Sequence, residues 1–323
     1  MFTSTKLVIM RSVNMLLFAY SYLFSKIFKK IKVYNLPLAI HIETSSKCNL
    51  SCLFCNRGQR NIDRPAAIMT FTDFQQIITK LPKSIYWITL YFQGEPLLDK
   101  TIIEKIKYLR ANNYFVEIST NAQNINKEMA TALVESGINR IIISMDGISQ
   151  KTYEKYRING KINNVFEAIN NLIESKKKLN KKNPKIIIQY IVFKHNESEI
   201  DQFKKMMKKL DVNIRIKNAQ LEDDAIDYLP NNKKYRRYKI NNDKLQLNKS
   251  LPKPCYRLWK EIIFLQNGQI AICCHDKNGK LLNETWHNKT IKQIWNSQEL
   301  NAIRQKTLIG DNLEICKNCD ICQ

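Results

Sequence analysis

Six apolar, β-branched runs alternate with helical patterns between residues 38 and 217, and this alternation leaves the chain few ways to fold. The runs occupy 38–43, 85–92, 114–119, 140–145, 185–193 and 213–217, and helical periodicity fills 101–112, 127–136, 163–178 and 197–210. Strands separated by helix-length segments cannot pair as hairpins, so they are predicted to form a parallel sheet with right-handed crossovers, an α/β arrangement. In barrels of this kind the chemistry sits just after each strand.

Directly after the first run comes Cys48-Asn-Leu-Ser-Cys52-Leu-Phe54-Cys55. Three thiolates on one short loop can hold three irons of a cubane cluster and leave the fourth open. Zinc also takes thiolates, so the loop alone leaves that alternative standing. The second run is followed by Gln93-Gly94-Glu95-Pro96, the third ends in Ser119-Thr120-Asn121, and the fourth ends in Ser144-Met145-Asp146-Gly147, with Arg157 downstream. Singly these read as turns and helix caps. In the fifth, Gln189 and Tyr190 are expected either to fill the barrel or to reach a bound ligand, and His195 and Asn196 to cap the next helix.

Arriving in this order, these segments make the chain resemble radical SAM enzymes. The resemblance implies an incomplete (β/α)6, TIM-like barrel with Cys48, Cys52 and Cys55 as ligands of a [4Fe-4S] cluster that binds S-adenosylmethionine (SAM). It implies that Phe54 packs near the adenine and that the Gln93, Gly94, Glu95 backbone holds the methionine amino group, with Gln93 where the family's motif has glycine. Ser119 and Asn121 would reach the ribose and carboxylate, with Ala122 where glycine is usual. Ser144 and Asp146 match the family's next motif, and Arg157 would pair with the methionine carboxylate, which suits a guanidinium fork. The implied activity is reductive cleavage of SAM to a 5′-deoxyadenosyl radical that abstracts hydrogen. The substrate is an unidentified peptide, sugar or alcohol, or lipid-linked sugar, and the electron donor is external, such as a flavodoxin or ferredoxin.

The other cysteines gather at the C-terminal end. Cys255 is followed after twelve residues by Gly268 and after four more by Cys273, and Cys316 and Cys319 form a later pair. The runs 262–265 and 269–272 around Asn267-Gly268 predict a hairpin. The spacing is similar to that of SPASM and twitch extensions, implying a small cysteine-rich α+β unit with one auxiliary [4Fe-4S] cluster that assists oxidation or substrate binding. Structural zinc is the alternative for a four-cysteine set. Cys274 is expected to point away from Cys273, Cys322 is a candidate substitute ligand, and His275 and His287 are expected on the surface or in packing.

The domains are drawn at 1–36, 37–220, a 221–254 linker and 255–323, with 235–238 expected on an exposed helix. A net charge of +23 raises nucleic acid as a partner, but the lysines are spread along the chain and the densest run, 176–185, sits at a helix end, so no nucleic acid is expected. Nine cysteines, an odd count in tight pairs with no cleavable signal, fit a reducing cytoplasm. Residues 1–42 contain no acidic residue, and Leu16, Leu17, Tyr20, Leu23, Phe24, Ile27, Phe28 and Ile31 recur at helical spacing beside Lys26, Lys29, Lys30 and Lys32. This helix is short for a bilayer crossing. It is expected either to lie at the inner membrane face or to pack on the barrel. A non-catalytic iron–sulfur electron carrier or zinc protein is the second class of function, against which the methionine-binding set argues.

Overall fold

The computed structural model describes residues 4–249, 253–311 and 313–319. Its strands are β1 (Ala39–Ile42), β2 (Trp87–Thr89), β3 (Phe115–Thr120), β4 (Arg140–Ser144), β5 (Lys185–Val192), β6 (Asn213–Asn218), β7 (Tyr238–Asn241), β8 (Lys244–Leu247), β9 (Glu261–Phe264) and β10 (Ile270–Ala271). The helices are α1 (Ser4–Phe28), α2 (Phe71–Thr79), α3 (Ile102–Ala111), α4 (Lys127–Glu135), α5 (Gln150–Glu154), α6 (Ile162–Lys178), α7 (Ile200–Lys209), α8 (Arg257–Lys260), α9 (Ile291–Trp295) and α10 (Gln298–Ile309).

One sheet carries the fold, in the order β10-β9-β1-β2-β3-β4-β5-β6. The six expected strands are present and parallel, making a partial TIM-like barrel. Residues in register share a face, and Ile40, Ile88 and Val116, then Ile143 and Ile188, are buried in one cluster with Ile106 of α3, Leu133 of α4, Ile169 of α6 and Phe203 of α7. The alternate face, which includes His41, Thr89, Glu117, Ser144 and Gln189, looks into the lumen.

The C-terminal hairpin forms as expected, but it belongs to the barrel sheet as well. Strand β9 pairs in parallel with β1, Ala39 against Glu261 through Ile42 against Phe264, and β10 turns back on it at Gly268, whose φ is +91°. The open edge of β1 is thereby covered, a common way of protecting a buried strand edge. The buried Arg304 of α10 staples the C-terminal unit, donating to Leu258 O at 2.9 Å and Trp295 O at 2.7 Å, while Trp295 Nε1 reaches Asn35 O at 2.9 Å.

Residues 221–249 are folded rather than a bare linker. Strands β7 and β8 pair around Asn242 and Asp243, both with positive φ, as a two-residue hairpin turn requires. The expected exposed helix at 235–238 is absent, because Tyr238 is a buried strand residue whose hydroxyl accepts from Leu221 N at 3.1 Å and donates to Asn318 Oδ1 at 2.5 Å.

Candidate active site

The C-terminal ends of β1 to β4 enclose a cavity of about 330 Å3, within the range of small-molecule sites. Its walls include Cys48, Cys52, Cys55, Phe54, Gln93, Gly94, Glu95, Ser119, Asn121, Ser144 and Arg157. Every expected cofactor residue of the barrel is therefore gathered here except Asp146, which stands behind Arg157.

The turn after β2 explains which glycine matters. A Cβ on Gly94 would lie 2.2 Å from Ser45 O and 2.7 Å from Lys47 O, so no side chain fits. Gln93 has no positive φ, and a side chain there meets no backbone penalty. Ala122 does take φ +58°, a left-handed conformation its family counterpart would adopt freely. Glu95 is buried and wholly engaged by the scaffold, accepting from Thr120 Oγ1 at 2.6 Å, Asn121 N at 2.7 Å and Leu97 N at 3.1 Å.

The cysteine loop is clamped by Ser51 N to Ile158 O and Leu53 N to Tyr156 O, both 3.1 Å. Polar hydrogens face its sulfurs: Asn121 Nδ2 is 3.9 Å from Cys48 Sγ, and Arg157 Nη1 is 3.7 Å from Cys52 Sγ. Burial pushes the Cys48 thiol up to about 11 and also raises Cys52, which Arg157 opposes. Ligation removes those protons, so metal loading of this loop is pH-dependent. Among the described residues no three His, Cys, Asp or Glu side chains converge on a single ion. Cys48, Cys52 and Cys55 line one cavity, and three thiolates on one loop can hold three irons of a cubane and leave the fourth open. The donor set therefore fits an iron–sulfur cluster with a ligand beside it.

Arg157 does not stand free to meet a carboxylate with its whole fork. Its Nε donates to Asp146 Oδ2 at 2.6 Å, and Asp146 Oδ1 accepts from Ile191 N at 2.6 Å. Burial works against the Arg157 charge, but Asp146, Cys52, Tyr156 and Tyr153 together outweigh it and hold the guanidinium protonated. Phe54 lies in an aromatic wall, 4.9 Å from Tyr228, 5.7 Å from Phe193 and 6.1 Å from Tyr156. Asn196 stands at the N-cap position of the 3-10 turn Glu197–Glu199, as expected, but neither it nor His195 caps that turn with its side chain. Asn196 bridges Asp146 O and Ile191 O at 3.0 Å each, and the His195 ring stacks on Phe193 at 5.5 Å. Tyr190 points to α7, 4.7 Å from Phe203.

In the C-terminal unit Cys255 and Cys316 are within electrostatic reach of each other, and Cys273 and Cys319 are buried. Burial pushes Cys255 up to about 11 and Cys273 well above its ordinary range, as for thiols that need a metal to ionise. Cys274 is exposed and lines the barrel cavity with Lys277. His287 packs on Trp286, and burial with nearby Lys277 lowers His275 to about 4. Cys322 lies outside the described residues.

Several residues at the site escaped sequence reasoning. Glu43, at the end of β1, holds Arg64 through two bonds of 2.5 and 2.6 Å, and Arg64 Nε donates to Lys277 O at 3.0 Å. Position after a strand could have flagged Glu43, whereas Arg64 sits in a loop with no pattern. Arg215 and Lys217 alternate on β6, and the register Ser144–Gln189–Arg215 turns them into the lumen. No ion pair or hydrogen bond engages either side chain among the described residues.

A partial barrel with cluster-forming thiols beside a cavity of nucleoside size defines a metallocofactor enzyme of the α/β barrel class. The chain belongs to the radical SAM superfamily, whose family model matches residues 42–207, and an iron–sulfur cluster-binding domain of the SPASM type matches residues 255–320. It accordingly binds a [4Fe-4S] cluster with SAM in the barrel and auxiliary iron–sulfur in the C-terminal unit. It is 28% identical over 206 residues to the GTP 3′,8-cyclase of Listeria welshimeri, covering 59% of this chain and 54% of that protein. It is 27% identical over 182 residues to the mycofactocin maturase MftC of Mycobacterium ulcerans, covering 56% and 47%. The chain spans about half the length of these curated relatives. In fold it resembles Streptococcus suis SuiB bound to SAM, with a TM-score of 0.63 at 14% identity over 88% of this chain and 72% of that one. BtrN in complex with SAM and 2-DOIA gives a TM-score of 0.56 at 17% identity over 89% and 94%.

Proposed function

We propose that this radical SAM enzyme abstracts hydrogen from a polar substrate held in the barrel lumen, with one auxiliary [4Fe-4S] cluster on Cys255, Cys273, Cys316 and Cys319 assisting oxidation or substrate binding. The observation that carries this reading is that both parts of the chain wall one cavity: Cys274 and Lys277 of the C-terminal unit face Cys48, Cys52 and Cys55 of the barrel. When bound, the cluster and SAM supply a hydrogen-abstracting carbon radical. The protein's own residues confine it. Phe54, Tyr156, Phe193 and Tyr228 exclude water from one side, and Asn121 and Arg157 offset negative charge on the sulfurs. In this reading the Gln93 to Glu95 backbone, Ser119, Ser144 and the free face of Arg157 bind the cofactor, with Asp146 positioning that arginine.

The unpartnered cations Arg215 and Lys217 favour a substrate carrying an anionic group, since the lumen acids Glu117 and Glu261 are already paired with Arg140 and Arg257. The enzyme takes electrons from a donor of the flavodoxin or ferredoxin kind. It works in the cytoplasm, with α1 as its contact to the inner membrane face.

The test is 5′-deoxyadenosine formation by the anaerobically reconstituted, dithionite-reduced protein, with Cys52→Ala as the blank. Product above the blank, from protein carrying about eight irons per chain, is expected. Iron-loaded protein that forms none, with or without candidate substrates, would favour the electron-carrier class.

A further inference from the structure

Helix α1 is built inside out. Its inward face is the seam Leu7, Asn14, Phe18, Ser21, Tyr22 and Ser25, at helical spacing and largely polar. Asn14 Oδ1 accepts from Leu36 N at 2.8 Å, Ser21 Oγ accepts from Tyr34 N at 2.9 Å, and the Tyr22 hydroxyl donates to Pro254 O at 3.0 Å. On the opposite side Ile9, Val13, Leu16, Tyr20, Leu23 and Ile27 form an uninterrupted apolar stripe, 48% to 71% exposed. Such a contiguous patch on a protein surface marks an interaction site.

The seam also shows where α1 lies. Arg11 sits over the rings of Tyr86 and Tyr114, at the starts of β2 and β3. Asn14 binds the segment just before β1, and Tyr22 packs against Trp259, just before β9, at 5.8 Å. Residues 11 to 22 advance about 16 Å along a helix, which matches three inter-strand spacings of about 4.8 Å. The helix therefore runs across the N-terminal ends of β3, β2, β1 and β9, on the face opposite the cavity.

Charge selects the partner. Lys26, Lys29, Lys30 and Lys32 are exposed at the end of the stripe, and residues 1–42 contain no Asp or Glu to oppose them. The loops entering β2 and β5 add Lys83, Lys181 and Lys182, against Asp211 before β6. An apolar stripe flanked by cations fits the headgroup region of an anionic bilayer. The helix is longer than its sequence pattern predicts, and Thr5–Phe28, 24 residues, is long and apolar enough to cross a bilayer. A crossing would nevertheless strip the bonded seam from the barrel and bring Arg11 into hydrocarbon.

We propose that the enzyme docks with the floor of its barrel on an anionic bilayer, α1 lying flat in the interface and the cavity mouth facing the aqueous phase. This rests on reading α1 as the membrane contact and goes beyond it by fixing the orientation. The six-residue β3 rises about 20 Å from floor to mouth, so substrate reaches the site from solution rather than from the lipid plane.

The test uses the iron-loaded full chain with phosphatidylglycerol–phosphatidylcholine vesicles and with phosphatidylcholine alone. Co-sedimentation is expected with the former and at least tenfold weaker with the latter, since each lysine near anionic headgroups contributes roughly fivefold. The variant Leu16→Ser, Leu23→Ser, Ile27→Ser leaves the inward seam intact and should abolish pelleting. Replacing Lys26, Lys29, Lys30 and Lys32 with Gln should remove the lipid-charge preference. Hydrogen exchange of the vesicle-bound protein should slow in α1 and at 82–86 and 112–114, while 219–224 and 274–278 stay unchanged. Slowing at the latter segments instead would overturn the orientation and leave the contact standing. No pelleting by folded, iron-loaded protein would overturn the contact itself. Resistance to alkaline carbonate extraction would replace it with a crossing, and a concentration-dependent dimer abolished by the triple serine variant would replace it with a second copy of the chain.

Discussion

Removing the Arg64 side chain should damage the molecule more than its place in an irregular loop suggests. The Glu43 and Arg64 side chains are 0% and 3% exposed and joined by both arms of the guanidinium. Arg64→Met leaves the Glu43 carboxylate buried without its cation, at a cost of about 3–5 kcal/mol. Spread over 323 residues, with an unfolding entropy of about 2.1 cal/mol/K per residue, this lowers Tm by roughly 4–7 °C. Arg57 sets the lower bound, because its Nε and Nη2 are buried without partners and it is within electrostatic reach of Glu43. Adding Arg57→Met should therefore move the loss to the upper end. In Glu43→Gln/Arg64→Met the buried charge is gone, while the Gln oxygen still accepts from Gln93 N, which lies 3.3 Å from Glu43 in the native protein. That double variant should recover to within about 2 kcal/mol of the parent. The assay is thermal unfolding of the reconstituted protein as a double-mutant cycle. Single losses that simply add, to within about 0.5 kcal/mol, would refute the claim that the pair, rather than each residue's packing, holds the cluster loop to β1.

Glu261 should govern part of the acid stability: burial alone would raise its pKa, but His41, Arg257 and Lys260 outweigh burial and bring it from 4.5 to about 2. Its contribution is present above 4.5 and lost as pH falls toward 2, so Glu261→Gln should cost about 3 kcal/mol at neutral pH and converge with the parent in acid unfolding curves. Gly94→Ala should lower stability by about 1–3 kcal/mol and weaken SAM binding in calorimetry, because the new methyl meets two backbone carbonyls. Iron analysis should show Cys273→Ser losing about half the metal and Cys274→Ser none, since Cys274 faces the barrel cavity instead.

What the sequence made legible follows from how local its signals are. Five of the six barrel strands could be read because each is a largely buried apolar run, and the half-exposed sixth because Ile214 and Ile216 alternate with Arg215 and Lys217. The cysteine loop and strand-end motifs could be placed because a parallel barrel brings successive strand ends together. The joining of β9 to β1 was not legible. A hairpin announces its own turn through Asn267-Gly268, but nothing in Glu261-Ile-Ile-Phe names the distant strand it will lie beside. The Glu43–Arg64 pair was hidden for the same reason, its two members being separated by the cluster loop they fasten. Residues 221–249 misled because a polar, Asn-rich stretch reads as linker until Tyr238 finds its buried hydroxyl partners.

Helix α1 shows a different limit. Periodicity established that Leu16, Tyr20, Leu23 and Ile27 share a face, and the usual inference would turn that face toward the core. The structure turns it outward, because the inward face has bonds that only polar residues can make: Asn14 to the backbone at Leu36 and Ser21 to the backbone at Tyr34, the segment that leads into β1. That segment has backbone groups to satisfy and lies under the barrel floor, so a seam of Asn and Ser fits it where leucines would leave those groups unpaired. Hydrophobic pattern fixes which residues lie together. Which side they meet is decided by the hydrogen-bonding needs of the surface beneath, and here that leaves the apolar stripe for a partner outside the chain.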